Sequence, residues 1–297
     1  MNYYNEIKKE LINNEIYKKV KDYSKEKNTV ITYYEIGKLL NEAGRKYGDN
    51  IIDKYSERLI VEVGKKYNKR TLFRMRQFYI TFSNKKVSPL ATQLTWSHYC
   101  ELLPIKDKNK LLYYLKVSLQ QNLTKRELRE KIKNKEYERI DEETKLKFKE
   151  NDYKNEISDF LKNPILIKNK NNYQSISEKA LKYLILEDIP AFMKELGEGF
   201  SFIDSEYKIK LGNSYNYIDL LLFNYKYNCF VVVELKITKL MKEHIGQIQT
   251  YMKYIDKNIR SLTQDKTIGI IIVRKENKFI MEYSSDERIY ETEYKLI

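Results

Sequence analysis

The sequence predicts an α+β protein of two domains. The first half is all-α and winged-helix or helix-turn-helix-like, and the second is an α/β domain with a mixed sheet. Three observations carry this. Residues 1–150 repeat their apolar residues at helical spacing, whereas residues 200–283 hold short runs rich in Val, Ile, Leu and Phe around one long amphipathic helix. The charge divides in the same way. Of a formal net charge of +14 over 297 residues, residues 1–150 hold 34 Lys and Arg against 21 Asp and Glu, a net of +13, and the remainder nets +1. Finally, Asp219, Glu234 and Lys236 stand in the most apolar strands of the second half. Unpaired charge near a core costs several kcal/mol, so such groups point to metal binding or chemistry.

Composition narrows the function classes. Cys100 and Cys229 are isolated, which speaks against a disulfide scaffold or a cysteine zinc site. His98 and His244 are the only histidines, which speaks against His-rich metal sites and Ser-His-Asp catalysis. Nothing resembles a signal peptide, and no run approaches the roughly 20 apolar residues of a membrane span. A soluble cytoplasmic protein is the expectation. A basic first half suits a polyanion partner. A general richness in Lys, Asn, Ile and Tyr accounts for many lysines but not for their asymmetry.

Taken in order, residues 31–40 give a helical segment that should stop near Gly44 as a C-cap. A helix over 49–63 ends at Gly64, four residues intervene, and a third helix runs over 69–82 with Leu72, Phe73, Met75, Phe78, Tyr79 and Phe82 as its apolar side. Helix, glycine-containing turn and helix is a helix-turn-helix pattern. The outer face of the third helix carries Lys69, Arg70, Arg74, Arg76 and Gln77, and residues 54–86 hold ten basic and two acidic residues. The cations suit phosphates, and Gln77 or Arg70 suits a base edge; an ordinary solvated helix face is the competing explanation. Thr95 is a candidate N-cap, Trp96 reads as core, and His98 reads as a hydrogen-bonded packing residue. Helices follow over 107–120 and 124–139, the latter with a Thr124/Glu127 capping box. Residues 151–163 read as a linker helix stopped by Pro164, so the expected domains are 1–150 and 164–297.

The second half should begin with one helix over 177–196, N-capped by Ser177 and broken by Gly197 and Gly199. Strands are expected at 200–211, 217–223, 229–237, 267–273 and 279–283, with a helix over 240–259 between the third and fourth. That helix carries a core stripe of Ile245, Ile248, Met252, Ile255 and Ile259. Beside it runs a boundary stripe of His244, Gln247, Tyr251 and Tyr254.

The candidate site follows from register. A hairpin with its tip at Lys226-Tyr227 pairs positions whose numbers add to 453, which sets Asp219 opposite Glu234. Opposed residues share a face with Cβ atoms about 4.5–5.5 Å apart, and alternation turns Lys236 the same way as Glu234. Two carboxylates so close repel unless a divalent cation lies between them, and one or two carboxylates completed by water and phosphate is how Mg²⁺ is held. Lys236 could then position or deprotonate a water or steady a phosphate.

Asp219 followed by Glu234-Leu235-Lys236 resembles the D…ExK core of the PD-(D/E)xK nucleases. The surrounding words resemble the YhcG-type branch: Glu195-Leu196-Gly197-Glu198-Gly199-Phe200, Tyr217-Ile218-Asp219-Leu220-Leu221, and Gln247-x3-Tyr251 within residues 246–251. The first half also resembles that branch through Tyr34-Glu35-Ile36-Gly37, Met75-Arg76-Gln77-Phe78-Tyr79 and residues 93–98, so the likeness spans almost the whole chain. The resemblance implies a restriction-endonuclease-like C-terminal domain. It implies Asp219 and Glu234 as ligands of Mg²⁺ or Mn²⁺ with the backbone carbonyl of Leu235, and Lys236, Gln247 and Tyr251 in catalysis. It also implies a first-helix glutamate, for which Glu178 and Glu187 are candidates. Glu178 stands where the branch carries one, but Lys182 stands where a second acid is expected, so this acid is left open.

The expectation is therefore a metal-dependent DNA endonuclease, whose link to restriction, phage defence or mobile elements rests on the family alone. Branched or nicked DNA is among its candidate substrates, and a homodimer is open because enzymes that cut both strands are often dimers. Two rivals remain at this stage: a nucleic-acid-binding protein with an inactive nuclease fold, and a structural or partner-docking protein.

Overall fold

A computed structural model describes residues 2–19, 25–48, 50–83, 94–150, 159, 161–173, 176–284 and 286–297. They divide into two units, Met1–Tyr137 and Glu138–Ile297. Several expected features lie outside the described residues: the helix start at Asp49, Lys85 and Lys86 of the basic stretch, Gln93, and residues 151–158 and 160 of the linker helix.

The first unit is helical among its described residues: α1 (Tyr3–Lys19), α2 (Lys25–Tyr47), α3 (Asn50–Glu62), α4 (Lys69–Phe82), α5 (Trp96–Leu102), α6 (Lys108–Gln120) and α7 (Lys125–Lys133). No strand, and so no wing, is found among them. The expected stop at Gly44 is wrong. α2 runs to Tyr47, the Gly44 carbonyl accepts from the Gly48 N–H, and Gly48 supplies the left-handed residue (φ 79°) that ends the helix. Helix α4 has the predicted bounds because Asn68 caps it, accepting from the Thr71 N–H at 3.1 Å. Its buried side, Leu72, Met75, Phe78 and Phe82, enters a core with Trp96 and Tyr99. Gly37 of α2 lets α4 approach: a Cβ there would lie 2.1 Å from the Met75 carbonyl oxygen. His98 packs as expected, with Nδ1 2.7 Å from Thr95 Oγ1 and Nε2 2.9 Å from the Leu123 carbonyl. Thr95 thus spends its hydroxyl on His98 and Ser97 rather than on a backbone cap. The predicted helix over 124–139 ends early at Lys133 and resumes as a 3-10 turn at Glu136–Arg139, although its capping box is formed.

In the second unit α8 (Glu142–Glu150) is followed by β1 (Ile165–Ile167), which the sequence reading missed. The single helix expected over 177–196 is two, α9 (Glu178–Leu186) and α10 (Ile189–Leu196). Pro190 in the first turn of α10 has no N–H to continue a helix, and Asp188 caps the new start by accepting from Ala191 N–H. Then come β2 (Phe200–Leu211), β3 (Ser214–Asn224), β4 (Cys229–Lys239), α11 (Lys242–Asn258), β5 (Asp265–Lys275), α12 (Lys278–Glu282) and β6 (Ile289–Leu296). The strand expected over 279–283 is the helical turn α12. Phe279-Ile280-Met281 does not alternate: Ile280 and Met281 pack inward together while Phe279 and Tyr283 are exposed. The last strand is β6 instead.

The sheet runs β1-β6-β5-β4-β3-β2, parallel from β1 to β4 and antiparallel from β4 to β2. It is therefore mixed and covered on both faces. Leu220, Leu222, Val231, Val233 and Leu235 meet α9 and α10 on one face. Ile218, Leu221, Val232 and Ile271 meet Ile248, Tyr251 and Met252 of α11 on the other. Gly269 of β5 seats α11, since a Cβ there would come within 2.7 Å of Ile248 Cδ1 and 2.8 Å of Met252 Sδ. Ile259, expected to complete the α11 stripe, lies past the helix end and is exposed.

The ELGEGF word proves structural in its first residue. Glu195 Oε1 accepts from the Leu166 N–H at 3.0 Å and from the guanidinium of the buried Arg139, tying the start of the unit to β1. Removing one partner of a buried ion pair strands the other's charge, at about 3–5 kcal/mol. Glu195→Ala should therefore lower the stability of the second unit by about 3 kcal/mol, read as a loss in urea midpoint by far-ultraviolet circular dichroism.

Candidate active site

The β3–β4 ladder pairs Leu220 with Val233, Leu221 with Val232, Leu222 with Val231 and Asn224 with Cys229, the register the hairpin arithmetic requires. The paired residues stop at Leu220 and Val233, one step short of Asp219 and Glu234. There the Asp219 carboxylate replaces the backbone as acceptor: its Oδ2 takes the Leu235 N–H at 3.0 Å. The strand alternation also slips at this point. Leu220 faces α9 and α10, whereas Ile218 faces α11. On the neighbouring strand Glu206 lies between Ser205 and Tyr207, whose partners Leu220 and Ile218 flank Asp219, and it takes φ 54°. A left-handed residue opposite Asp219 opens the sheet locally, as bulges do beside many functional sites.

Glu234 is 1 % exposed. Its Oε2 lies 3.3 Å from Lys236 Nζ, and its Oε1 is buried with no hydrogen-bond partner among the described residues. Burial first, and then the neighbouring Asp219 charge, push its pKa up to about 7, against the pull of Lys236. Lys236 Nζ also lies 3.9 Å from Glu178 Oε2 at the start of α9. Glu178 therefore reaches the site. Glu187, eight residues past Glu178's neighbour at the far end of α9, is an exposed C-cap about 13 Å along the helix axis and does not.

Lys182, one turn beyond Glu178, stands at the position where the resemblance implies an acid. Its side chain is 14% exposed, and its ammonium lies 3.1 Å from Asp219 Oδ1 and 2.8 Å from Glu206 Oε1. Burial works against this charge, but the hydrogen bonds to Glu206 and Asp219 outweigh it and raise the Lys182 pKa. Glu206 was not foreseen; nothing in an exposed edge-strand glutamate marks it until the strand is folded against α9.

On the other face α11 brings Tyr251 and Gln247. Gln247 Nε2 donates to Tyr251 Oη at 3.1 Å. The Tyr251 ring is buried rather than at the boundary, and burial raises its hydroxyl pKa, with Glu234, Lys236 and Asp219 close enough to act on it. His244 accepts from the Met241 N–H through Nδ1 at 3.2 Å, and burial, followed by Lys236, lowers its pKa, so the ring is neutral at pH 7.

These residues fit a divalent cation through carboxylate and backbone oxygens. Glu234 Oε1 is a buried carboxylate oxygen with no hydrogen-bond partner among the described residues, and Asp219 stands beside it. Among the described residues no three or more His, Cys, Asp or Glu side chains gather as a metal cluster. A cation here would rest on Asp219, Glu234, a backbone carbonyl such as that of Leu235, and oxygens from outside the protein, which is the sparse protein contribution Mg²⁺ commonly accepts.

Comparison with known proteins gives the family. Residues 158–296 match the YhcG PDDEXK nuclease domain, and residues 7–139 match the DUF1016 N-terminal domain. The chain belongs to the YhcG-type PDDEXK nuclease family. It is similar to YhcG of Escherichia coli (strain K12), 22% identical over 282 residues that cover 81% of this chain and 75% of that protein. A repair endonuclease from Pyrococcus abyssi (18% identity, TM-score 0.29, 41% of this chain and 48% of that one) shares a faint structural likeness. So does EndoMS in its dsDNA2 complex (19% identity, TM-score 0.29, 42% and 48%). The chain spans about half the length of these two structures, and the likeness is too slight to build on.

The five residues expected on the DNA-facing side of α4 fall into two strips at 100° per residue. Arg70, Arg74 and Gln77 form one, and Arg70 and Arg74 both act electrostatically on Cys100 of α5. Lys69 and Arg76 form the other, where Lys69 Nζ is 2.7 Å from Asp53 Oδ2 of α3. The Gln77 amide donates to the Leu103 carbonyl at 2.8 Å, so it ties α4 to the end of α5.

Glu234 gives a pH signature. Its folded pKa lies above the unfolded value, so its contribution to stability is present below about pH 4.5 and is lost as pH rises through about 7. In EDTA, the stability of the second unit should fall between pH 5 and 7.5 by up to about 3 kcal/mol from this group. Glu291, also near 7 through burial, adds to the fall. The check is therefore the difference between wild type and Glu234→Gln: the variant's denaturation midpoints should vary less across that window.

Proposed function

We propose that the protein is a divalent-metal-dependent nuclease that hydrolyses DNA phosphodiester bonds, cutting within the strand. The observation that carries this reading is the Glu234 carboxylate, buried with one oxygen unpartnered beside Asp219 at the point where β3 and β4 part. In this reading Asp219 and Glu234 hold Mg²⁺ or Mn²⁺ with the Leu235 carbonyl, and the bound ion supplies a Lewis acid for the phosphate and a lowered pKa for water. The Lys236 ammonium, between Glu234 and Glu178, orients the attacking water and donates to a phosphate oxygen. Tyr251 and Gln247, already hydrogen-bonded to each other, position that phosphate from the α11 side. DNA as the substrate is supported by the first half's net charge of +13 and by the Arg70 and Arg74 strip.

A second reading, nucleic-acid binding without cleavage, is favoured by one observation: the Lys182 ammonium lies against Asp219 Oδ1, where a cation ligand is needed. The deciding assay incubates supercoiled, linear and branched DNA, and RNA, with wild type, Glu234→Ala and Lys236→Ala under Mg²⁺, Mn²⁺ or EDTA. The proposed enzyme nicks or linearises DNA only with metal, and each variant loses at least about 100-fold in rate. Binding without cutting in every metal supports the second reading, and equal cutting by Glu234→Ala sinks the site.

Phosphate contact by α4 has its own signature. Each lysine or arginine that releases a counterion contributes about one unit to the slope of log K against log salt. Arg70→Ala with Arg74→Ala should lower that slope by about two, with little change in stability.

A further inference from the structure

The hairpin of β2 and β3 carries a feature that the catalytic constellation does not use. Around its Gly212-Asn213 turn, Lys208 pairs with Tyr217 and Lys210 with Tyr215. All four side chains lie on one face, because Tyr207, Ile209, Leu211 and Ile218 turn to the α11 core. Tyr215 and Tyr217 are 55% and 53% exposed. Lys208 Nζ lies 3.9 Å from the centre of the Tyr215 ring and Lys210 Nζ 6.0 Å, so cation–π attraction keeps both ammonium groups beside the ring. Residues 207–218 contain no acidic residue, in a half of the chain that is otherwise nearly neutral.

Edge protection accounts for part of this. β2 is the edge strand of the sheet, and lysines on an edge discourage pairing with another sheet. It does not account for the tyrosines, which lie on the interior strand β3 and leave large aromatic surface in water with no core to enter. Their strand then runs directly into the site, Tyr217 being two residues before Asp219.

We infer that this Lys/Tyr ladder is a binding platform for an unpaired nucleic-acid strand, which the two tyrosines grip by stacking on its bases while Lys208 and Lys210 meet its phosphates. Base faces are open only in unpaired strands, and aromatic stacking with a flanking positive charge is how such strands are held without sequence preference. A duplex offers this surface its phosphates alone. The inference rests on the nuclease reading and adds to it a substrate class: DNA with a single-stranded arm or gap next to the cut.

The test measures binding of the full chain in EDTA to fluorescein-labelled single-stranded DNA, duplex, and duplex with a single-stranded arm. Cleavage of the same DNAs is then measured with Mn²⁺. Tyr215→Ala with Tyr217→Ala should weaken single-strand and arm binding on the order of tenfold or more, leave duplex binding within twofold, and lower cleavage of the armed substrate in parallel. Tyr215→Phe with Tyr217→Phe keeps the rings and should bind as wild type. Lys208→Ala with Lys210→Ala should weaken both forms and reduce the salt slope by one to two. Unchanged single-strand binding in the alanine pair, or an equal loss on duplex, overturns the inference while wild-type cleavage leaves the nuclease reading standing. A change only in self-association, seen by sedimentation, also overturns it and makes the hairpin a contact between copies. A wild type that neither binds nor cuts any of these DNAs overturns both.

Discussion

A carboxylate buried in an apolar strand with one oxygen left unsatisfied is the constraint around which the second unit is arranged. Glu234 follows Val231, Val232 and Val233 on β4, so nothing local solvates it. One neighbour answers part of that cost. Lys236 supplies a charge from the same strand, and α11 brings the Tyr251 hydroxyl close enough to feel the carboxylate. Asp219 adds a second negative charge rather than relieving the first. In a purely structural site that addition is unfavourable twice over, since the two carboxylates repel and both are partly desolvated. Lys182 offsets the Asp219 charge from α9, which leaves Glu234 Oε1, without a hydrogen-bond partner among the described residues, as the oxygen that the proposed cation would meet.

Delivering these groups requires both faces of the sheet at one strand end. The ladder between β3 and β4 stops at Leu220 and Val233, and Asp219 turns from packing to accepting the Leu235 N–H. With Glu206 in a left-handed conformation opposite, the slip lets Asp219 reach Lys182 of α9, while Glu234 and Lys236 stay near α11. Gly269 contributes at a distance, by letting α11 sit close enough for Tyr251 to reach the strand end.

The sequence made much of this legible, for a physical reason that also explains the misses. Strand pairing obeys integer register, so a turn centred on Lys226-Tyr227 fixed the pairing from Asn224–Cys229 to Leu220–Val233, one step short of Asp219 and Glu234. Apolar spacing likewise delimited α4 and placed α11 to within two residues at its ends. What failed depended on competition between local signals. Gly44 has the composition of a stop, but Gly48 four residues on takes the left-handed conformation instead. Pro190 was passed over as a break because apolar residues on both sides kept helical spacing. Residues 279–283 are apolar enough for a strand, but Ile280 and Met281 pack inward together, and β6 takes the place beside β5 and β1. Glu206 and the contact of Lys182 with Asp219 were out of reach because they join residues 24 and 37 positions apart across two elements.

Lys182 is the group that most constrains what the site can hold. Asp219, Glu234, Glu178 and Glu206 carry four negative charges when ionised, and Lys182 and Lys236 return two positive ones. The balance of two negative charges matches one divalent cation. A second cation would have to displace Lys182 from Asp219, exposing an ammonium whose pKa its two carboxylate partners have raised. A lysine where the resemblance implies an acid supplies a fixed positive charge beside Asp219. That charge sits on the α9 side of Asp219. In the proposed reaction it suits a site that works with one ion and leaves protein side chains to steady the rest of the phosphate's charge, a division of labour electrostatic preorganisation favours because the donors are already in place.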